Sequence, residues 1–266
     1  MDAFQVDELK LYLRDEIKIA DGVVLRCPTI GEIANYGESK YFHVAQMLCS
    51  TPSSMKVFLA DNKLDWMQVS DFELFTMLCR LGAFSKENTG LLLGDLDLSS
   101  FKLYQFGEDD FALSNKDSVA EGENPIIINQ VIYDILITYV RKMHNFKKQV
   151  DKAGNSITKK VLIDLARQDE KMAAKKPYKS FLRPLISAVK CRQGYSIDYV
   201  KDMGIFEFMD DVARLNVIVQ ADAALQGMYS GFVDTKKMDK TVLDWMREIQ
   251  EESNTKNKSI LKEGAN

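Results

Sequence analysis

The stretch from Gly204 to Ser230, GIFEFMDDVARLNVIVQADAALQGMYS, carries a long helical pattern in the second half of the chain. When each residue turns by about 100° around a helix axis, large apolar side chains fall along one side and charged ones along the other. This pattern predicts a helix from Ile205 to about Ser230. It either packs in the protein's own core or binds a partner through its apolar side. That side, called here the C-terminal stripe, consists of Ile205, Phe208, Met209, Val212, Leu215 and Val219.

Two adjacent aspartates in this helix, Asp210 and Asp211, raise the alternative of a paired carboxylate site for acid–base catalysis. They fall with Glu207 and Arg214 on the side away from the C-terminal stripe. Asp210 and Arg214 are four residues apart in the favourable orientation, which is worth only about 0.2–0.5 kcal/mol. Nothing in the sequence predicts the burial that tunes a carboxylate for acid–base work. A solvated helix face is therefore the favoured interpretation, and no catalytic residue is predicted.

The later part of the helix is apolar on more than one side, because Val217 and Ile218 lie off the C-terminal stripe. A helix that is apolar nearly all round is buried by its own domain or by a partner. The sequence leaves both options open.

A lysine-rich stretch, KKQVDKAGNSITKK from Lys147 to Lys160, is nearly free of large apolar residues and predicts an exposed linker. We place the linker at residues 147–158, between an N-terminal α+β domain at 1–146 and a helical C-terminal domain at 159–251. The last helix is expected at about Lys240–Glu251. Residues 252–266 are expected to form a frayed tail.

The N-terminal half combines two hairpin signals with well-capped helices. Asp21-Gly22 lies between two apolar runs and predicts a tight hairpin, and FKLYQFGEDDFALS, Phe101–Ser114, predicts a second one. Capping boxes begin helices after Thr29, with a break near Gly37, and after Ser70. A further helix is expected over Gln130–Phe146. The fold class is therefore mainly α with small β-hairpins (α+β) and a helical C-terminal half.

Composition limits the class of protein. The chain has 266 residues and a net charge of −4, so it lacks the positive field that drives nonspecific binding to nucleic acid. Its four cysteines form no CxxC pair, which favours reduced thiols in a cytoplasmic protein. The longest apolar runs are shorter than the roughly 20 residues of a membrane span. We expect no membrane and no nucleic-acid partner.

Two segments of opposite charge lie in the middle of the chain. Residues 95–123 hold eight acidic residues against two lysines, and residues 147–176 hold nine basic residues against four acidic ones. Two solvated surfaces are the favoured interpretation. Docking of the segments to each other or to other subunits is the alternative.

Motifs for chemistry do not emerge from the sequence. His43 and His144 lack metal-ligand spacing, so a structural role is favoured for each. The chain has no GxxxxGK[ST], no GxGxxG and no EF-hand loop, and GMYSG is not a nucleophile elbow. We predict a protein that is not an enzyme and that uses no cofactor and no metal.

Two passages carry a family resemblance: VVLRCPTIGEIANYGESKYFHVAQMLCS, Val23–Ser50, and GIFEFMDDVARLNVIVQADAALQGMYSGFVDTKKMDK, Gly204–Lys240. With them the chain resembles tail-morphogenesis proteins of tailed bacteriophages and prophages of Gram-positive bacteria, a group that looks like tail assembly chaperones. The resemblance implies a helical protein of the host bacterial cytoplasm with no catalytic residues.

The same resemblance implies that the chain binds the tape measure protein or tail tube subunits before the tail is built. A structural component of the tail or baseplate is the alternative, and self-association is an open option. Twelve methionines would supply the adaptable apolar surface that a chaperone of long helices needs. The C-terminal stripe is the candidate partner-binding surface.

Overall fold

A computed structural model of the chain describes residues 4–105, 110–120, 124–230 and 240–249. Eleven α-helices and two small antiparallel sheets form the described part, which confirms the predicted α+β class with its helical C-terminal half. In chain order the elements are α1 (Glu8–Tyr12), β1 (Ile17–Ala20), β2 (Val23–Leu25), α2 (Ile30–Tyr36), α3 (Glu38–Leu48), α4 (Lys56–Asp61), α5 (Asp71–Arg80), α6 (Lys86–Leu93), β3 (Lys102–Gln105), β4 (Phe111–Ser114), β5 (Ile127–Asn129), α7 (Gln130–His144), α8 (Ser156–Ala174), α9 (Leu182–Gln193), α10 (Ile197–Asp202) and α11 (Ile205–Tyr229).

Both predicted hairpins are confirmed. Strands β1 and β2 pair antiparallel around Gly22, whose φ of 75° is a conformation that glycine adopts without strain. Strands β3 and β4 pair with Lys102 opposite Ser114, and β5 adds a third antiparallel strand beside β4. The centre of the second predicted turn, residues 106–109, lies outside the described residues.

The capping boxes set the helix boundaries as the sequence predicts. In α2, the Thr29 hydroxyl accepts from the Glu32 amide while the Glu32 carboxylate accepts from the Thr29 amide. Helix α5 begins with the same reciprocal pair between Ser70 and Glu73. Gly37 lies between α2 and α3 with a φ of 106°, a non-helical conformation that glycine adopts easily. The predicted break near Gly37 is therefore confirmed.

The core of the N-terminal part is built on aromatic side chains. The rings of Phe75 on α5 and Tyr133 on α7 lie 4.8 Å apart, and Phe84 stacks on Phe75 at 5.5 Å. All three are almost completely buried. Large aromatic groups of this kind contribute much of a core's buried apolar area.

Contacts divide the chain into a first unit, Met1–Phe208, and a second unit, Met209–Asn266. The predicted linker at 147–158 lies within the first unit, and α8 begins inside it at Ser156. Two residues of this predicted linker form hydrogen bonds with an earlier part of the chain. Thr51 donates its hydroxyl hydrogen to the Gln149 carbonyl at 2.8 Å, and the Asp151 amide donates to the Ser53 hydroxyl at 3.0 Å.

The helix predicted over Lys240–Glu251 is wrong. Within the described residues only a short 3₁₀ helix forms, at Lys240–Leu243, and the chain then turns without helical hydrogen bonding up to Ile249. The side chain of Asp244 accepts from the Met246 amide, 3.0 Å away, which stabilises a turn instead of a helix. The predicted tail at 252–266 lies outside the described residues.

Candidate partner-binding surface

The start of α11 is fixed to the first unit by main-chain hydrogen bonds on both sides of Gly204. The Ile30 amide donates to the Met203 carbonyl, and the Ile205 amide donates to the Pro28 carbonyl, each at 2.9 Å. Together with the antiparallel bridge between Thr29 and Gly204 they make a short β-like contact. The N-terminus of α11 and the N-terminus of α2 are therefore held at one point.

Gly204 leaves no room for a side chain at this point. A Cβ atom on Gly204 would lie 2.7 Å from Cγ of Arg14 and 3.3 Å from Sγ of Cys27. Arg14 is itself held, because its guanidinium donates to the main-chain carbonyl of Asp202. The glycine is thus required by the close approach of two side chains from distant parts of the chain.

The first turn of α11 is closed by its own sequence. The Glu207 carboxylate accepts from the Gly204 amide at 3.2 Å, which satisfies one of the donors that a helix leaves open at its N-terminus. Glu207 also places negative charge at the positive end of the helix. This glutamate therefore has a capping role.

The C-terminal stripe divides into a buried and an accessible part. In the first unit, Ile205 and Phe208 are completely buried, as expected of core residues. In the second unit, Met209, Val212 and Leu215 are half-buried. Val219 is 49% exposed, so its apolar surface is accessible to a partner. Only the accessible part can bind another protein without unfolding the first unit.

Burial in the second unit does not follow the predicted stripe. Val217 and Ala221 are buried, while Leu225 and Tyr229 are exposed. Val217 is one of the residues that the sequence places off the stripe. Because α11 is apolar on several sides, the sequence alone does not determine which of its faces is buried.

The polar side of α11 binds the chain that follows it. Arg214 donates to the main-chain carbonyls of Trp245 at 3.0 Å and Arg247 at 2.7 Å. Arg247 donates in turn to the Gln220 side chain at 3.0 Å. The arginine that the sequence assigns to a solvated face thus holds the segment at 240–249. Asp210 and Asp211 are half-buried and both take part in interactions within the chain.

A second surface, on α8, was not singled out by the sequence. Its side toward α4 is fixed by ion pairs of Lys159 with Asp65 and of Arg167 with Asp61, both at 2.6 Å. None of its nineteen residues is buried. The remaining apolar side chains therefore contact solvent. Several of these apolar residues of α8 recur every four positions in the sequence, and this spacing could have identified the surface.

Three basic residues of the segment at 147–176 pair with aspartates that lie outside the acidic segment at 95–123. Besides the two pairs on α8, Lys148 pairs with Asp71 at 2.7 Å. The segment's own Asp151 pairs with the buried Lys56, which lies outside the segment. Because these contacts are within the first unit, part of the segment's charge is compensated inside the chain. These ion pairs also help to attach the segment at 147–176 near α4 and α5.

Three of the cysteine and histidine side chains that could carry chemistry are buried. Burial raises the pKa of Cys49 to about 12 and raises the pKa of Cys79 above its usual value, so both thiols stay protonated at neutral pH. His144 is buried and His43 is exposed. Within the described ranges, no three ligand-type side chains come together as a metal site, and no helix combines the length and hydropathy of a membrane span.

Comparison with known proteins gives a partial match. Residues 174–250 match a family model described as the YomV second domain. The matched region starts where α8 ends and contains α9, α10 and α11, with the whole C-terminal stripe. No curated protein and no solved structure matches the chain. The matched family is phage-associated, which is consistent with a phage protein.

Proposed function

We propose that this chain is a non-enzymatic protein of phage tail morphogenesis that binds a helical partner before the tail is built. The observation that carries the proposal is exposed apolar surface on α11, at Val219 of the C-terminal stripe and at two residues beyond the stripe. Val219, Leu225 and Tyr229 expose apolar surface along one helix inside the region that matches a phage-associated family. Exposed apolar surface on a helix is a common mode of helix recognition.

The proposed partner is the tape measure protein or a tail tube subunit. A tape measure is a long helical chain with apolar stripes, and it needs a helper that covers them until assembly. The complex is proposed to form in the cytoplasm of the host bacterium.

The test is co-expression with the candidate tape measure protein and measurement of the fraction of that protein that stays soluble. Val219→Asp places a charge on the accessible stripe, where a covered carboxylate is strongly disfavoured. We expect the variant to keep its helical circular dichroism while the partner precipitates. Val131→Asp makes the same chemical change at an exposed position on α7, away from α11, and should keep the partner soluble.

Ile205→Asp serves as a folding reference, because Ile205 is completely buried and its replacement should unfold the first unit. A folded Val219→Asp variant that still keeps the partner soluble would remove α11 from the mechanism. Analysis of purified virions distinguishes an assembly chaperone from the remaining alternative, a structural component. Absence of the chain supports an assembly chaperone, whereas a fixed copy number would make it a structural component of the tail or baseplate.

A further inference from the structure

Helix α8 is apolar on two opposite sides, and among the described residues of the first unit only one of these sides has a partner. The side that includes Lys159, Ile163 and Arg167 packs on α4. The opposite side carries four apolar residues that are half to three-quarters exposed. This α8 stripe consists of Ile157 at 75%, Val161 at 50%, Leu165 at 52% and Met172 at 62% exposure.

The spacing of the α8 stripe is that of a helix–helix seam. Val161, Leu165, Gln168 and Met172 follow one another at intervals of four, three and four residues. Intervals of this kind keep side chains on one line along a helix and fit them between those of a facing helix. At about 1.5 Å per residue, the seam from Val161 to Met172 is roughly 17 Å long.

The charged residues beside the seam can form ion pairs with the same residues of a second copy. Asp164 and Lys171 are seven residues apart, so they lie at the same edge of the stripe. Both are exposed, and neither forms an ion pair within the described part of the chain. In an antiparallel pairing of two copies, Leu165 faces Gln168 of the other copy, and each Asp164 comes near the Lys171 of the other copy.

We propose that the α8 stripe is a self-association surface, on which two copies of this chain pair their α8 helices antiparallel about a two-fold axis. The single polar seam residue, Gln168, lies near this axis and fixes the register, as lone polar groups do in apolar seams. The two-fold relation forms the Asp164–Lys171 ion pair twice. A second copy is favoured over another protein because the pattern of opposite charges complements itself.

The pairing is expected to be weak to moderate in strength. One helix pair buries less than the roughly 1,200–2,000 Å² of standard stable interfaces, so dissociation in the range of about 10–100 µM is expected. Self-association through α8 is independent of partner binding by α11. Failure of one proposal therefore leaves the other intact.

The experiment is sedimentation equilibrium of the full chain between about 5 and 300 µM. Val161→Glu places a charge in the seam and should weaken the dimer at least about tenfold without loss of helical circular dichroism, since Val161 is half exposed in the single chain. Val131→Glu makes the same chemical change at an exposed position on α7 and should leave association unchanged. A wild-type chain that stays monomeric throughout would overturn the proposal, as would a Val161→Glu variant that associates normally.

A charge exchange tests the orientation and the identity of the occupant. Asp164→Lys alone places lysine beside lysine twice and should weaken the dimer by roughly fivefold to tenfold at low salt. Adding Lys171→Asp to it restores opposite charges and should restore wild-type association. Loss of association in the double variant would rule out the antiparallel register. If the wild-type chain is monomeric and Val161→Glu instead abolishes the solubility of a co-expressed phage protein, the stripe binds that protein and not a second copy.

Discussion

Tyr41 donates a hydrogen bond from its hydroxyl to Nε2 of His144, 2.6 Å away, inside the core of the first unit. The other ring nitrogen, Nδ1, lies 2.7 Å from the Val140 carbonyl, and because a carbonyl only accepts, Nδ1 carries the proton. Nε2 is then an acceptor, and the ring is neutral. Burial lowers the pKa of His144 to about 4. One face of the ring stacks on Phe146.

We therefore expect the free energy of unfolding to fall on mild acidification. The pKa of His144 is lower in the folded chain than in the unfolded chain, so the unfolded state binds more protons below about pH 6.5. The stabilisation is complete above that pH and is lost as pH falls toward about 4. Between about pH 7.5 and pH 5 the loss amounts to about 2 kcal/mol, measurable by urea unfolding. His144→Gln should flatten this dependence, whereas His43→Gln, at an exposed position, should preserve it. An unchanged pH profile in His144→Gln would contradict the assignment.

Gly204→Ala is expected to destabilise the first unit by about 1–3 kcal/mol, because the new methyl group overlaps the Arg14 side chain that Asp202 holds in place. Thermal unfolding followed by circular dichroism measures the effect. Gly90→Ala in α6 is the matched control, since a Cβ there meets nothing within 4 Å and alanine is the better helix former. Equal stability of the two variants would show that Gly204 has room for a side chain.

Asp151→Asn should loosen the segment before α8. It removes the charge opposite Lys56, whose side chain is only 7% exposed, and so leaves a buried ammonium group with a neutral partner. We expect a loss of about 2 kcal/mol, less than for a fully buried pair because Asp151 is partly solvated. Trypsin should then cleave at Lys152 sooner than in the wild-type chain.

Asp21→Asn is the control for Asp151→Asn. It removes an exposed ion pair with Lys18 and keeps a residue that suits the hairpin turn. Its digestion pattern should equal that of the wild-type chain. Equal digestion of the Asp151→Asn variant would show that the ion pair does not hold the segment.

Thiol labelling of the native chain should modify Cys191 first. Cys191 is exposed, whereas Cys49 and Cys79 are buried and burial raises the pKa of both thiols. Mass spectrometry after brief treatment with iodoacetamide at neutral pH identifies the modified residues. All four cysteines should react in denaturant. Rapid labelling of Cys79 without denaturant would contradict the packing of α5.

The local elements of this protein are readable in the sequence because they depend on residues a few positions apart. The capping boxes at Thr29 and Ser70, the turn at Gly22 and the long helix from Ile205 all follow from such short-range contacts. The helix predicted from Lys240 does not form in the described residues, and the cause is again a local contact. The local turn formed by Asp244 competes with helical hydrogen bonding there.

Tertiary contacts decided what the local pattern left open. Gln149 and Asp151 belong to a stretch that reads as an exposed linker, yet Thr51 and Ser53, distant in sequence, supply their hydrogen-bond partners. On α11, apolar residues on several sides make more than one buried face compatible with the same sequence, and the structure buries Val217 and exposes Val219. The sequence by itself determined the capped helices after Thr29 and Ser70 and the long helix from Ile205, because those choices are made within a few residues. Which apolar face is covered was decided only by the tertiary structure, because burial depends on what the rest of the chain brings against that face.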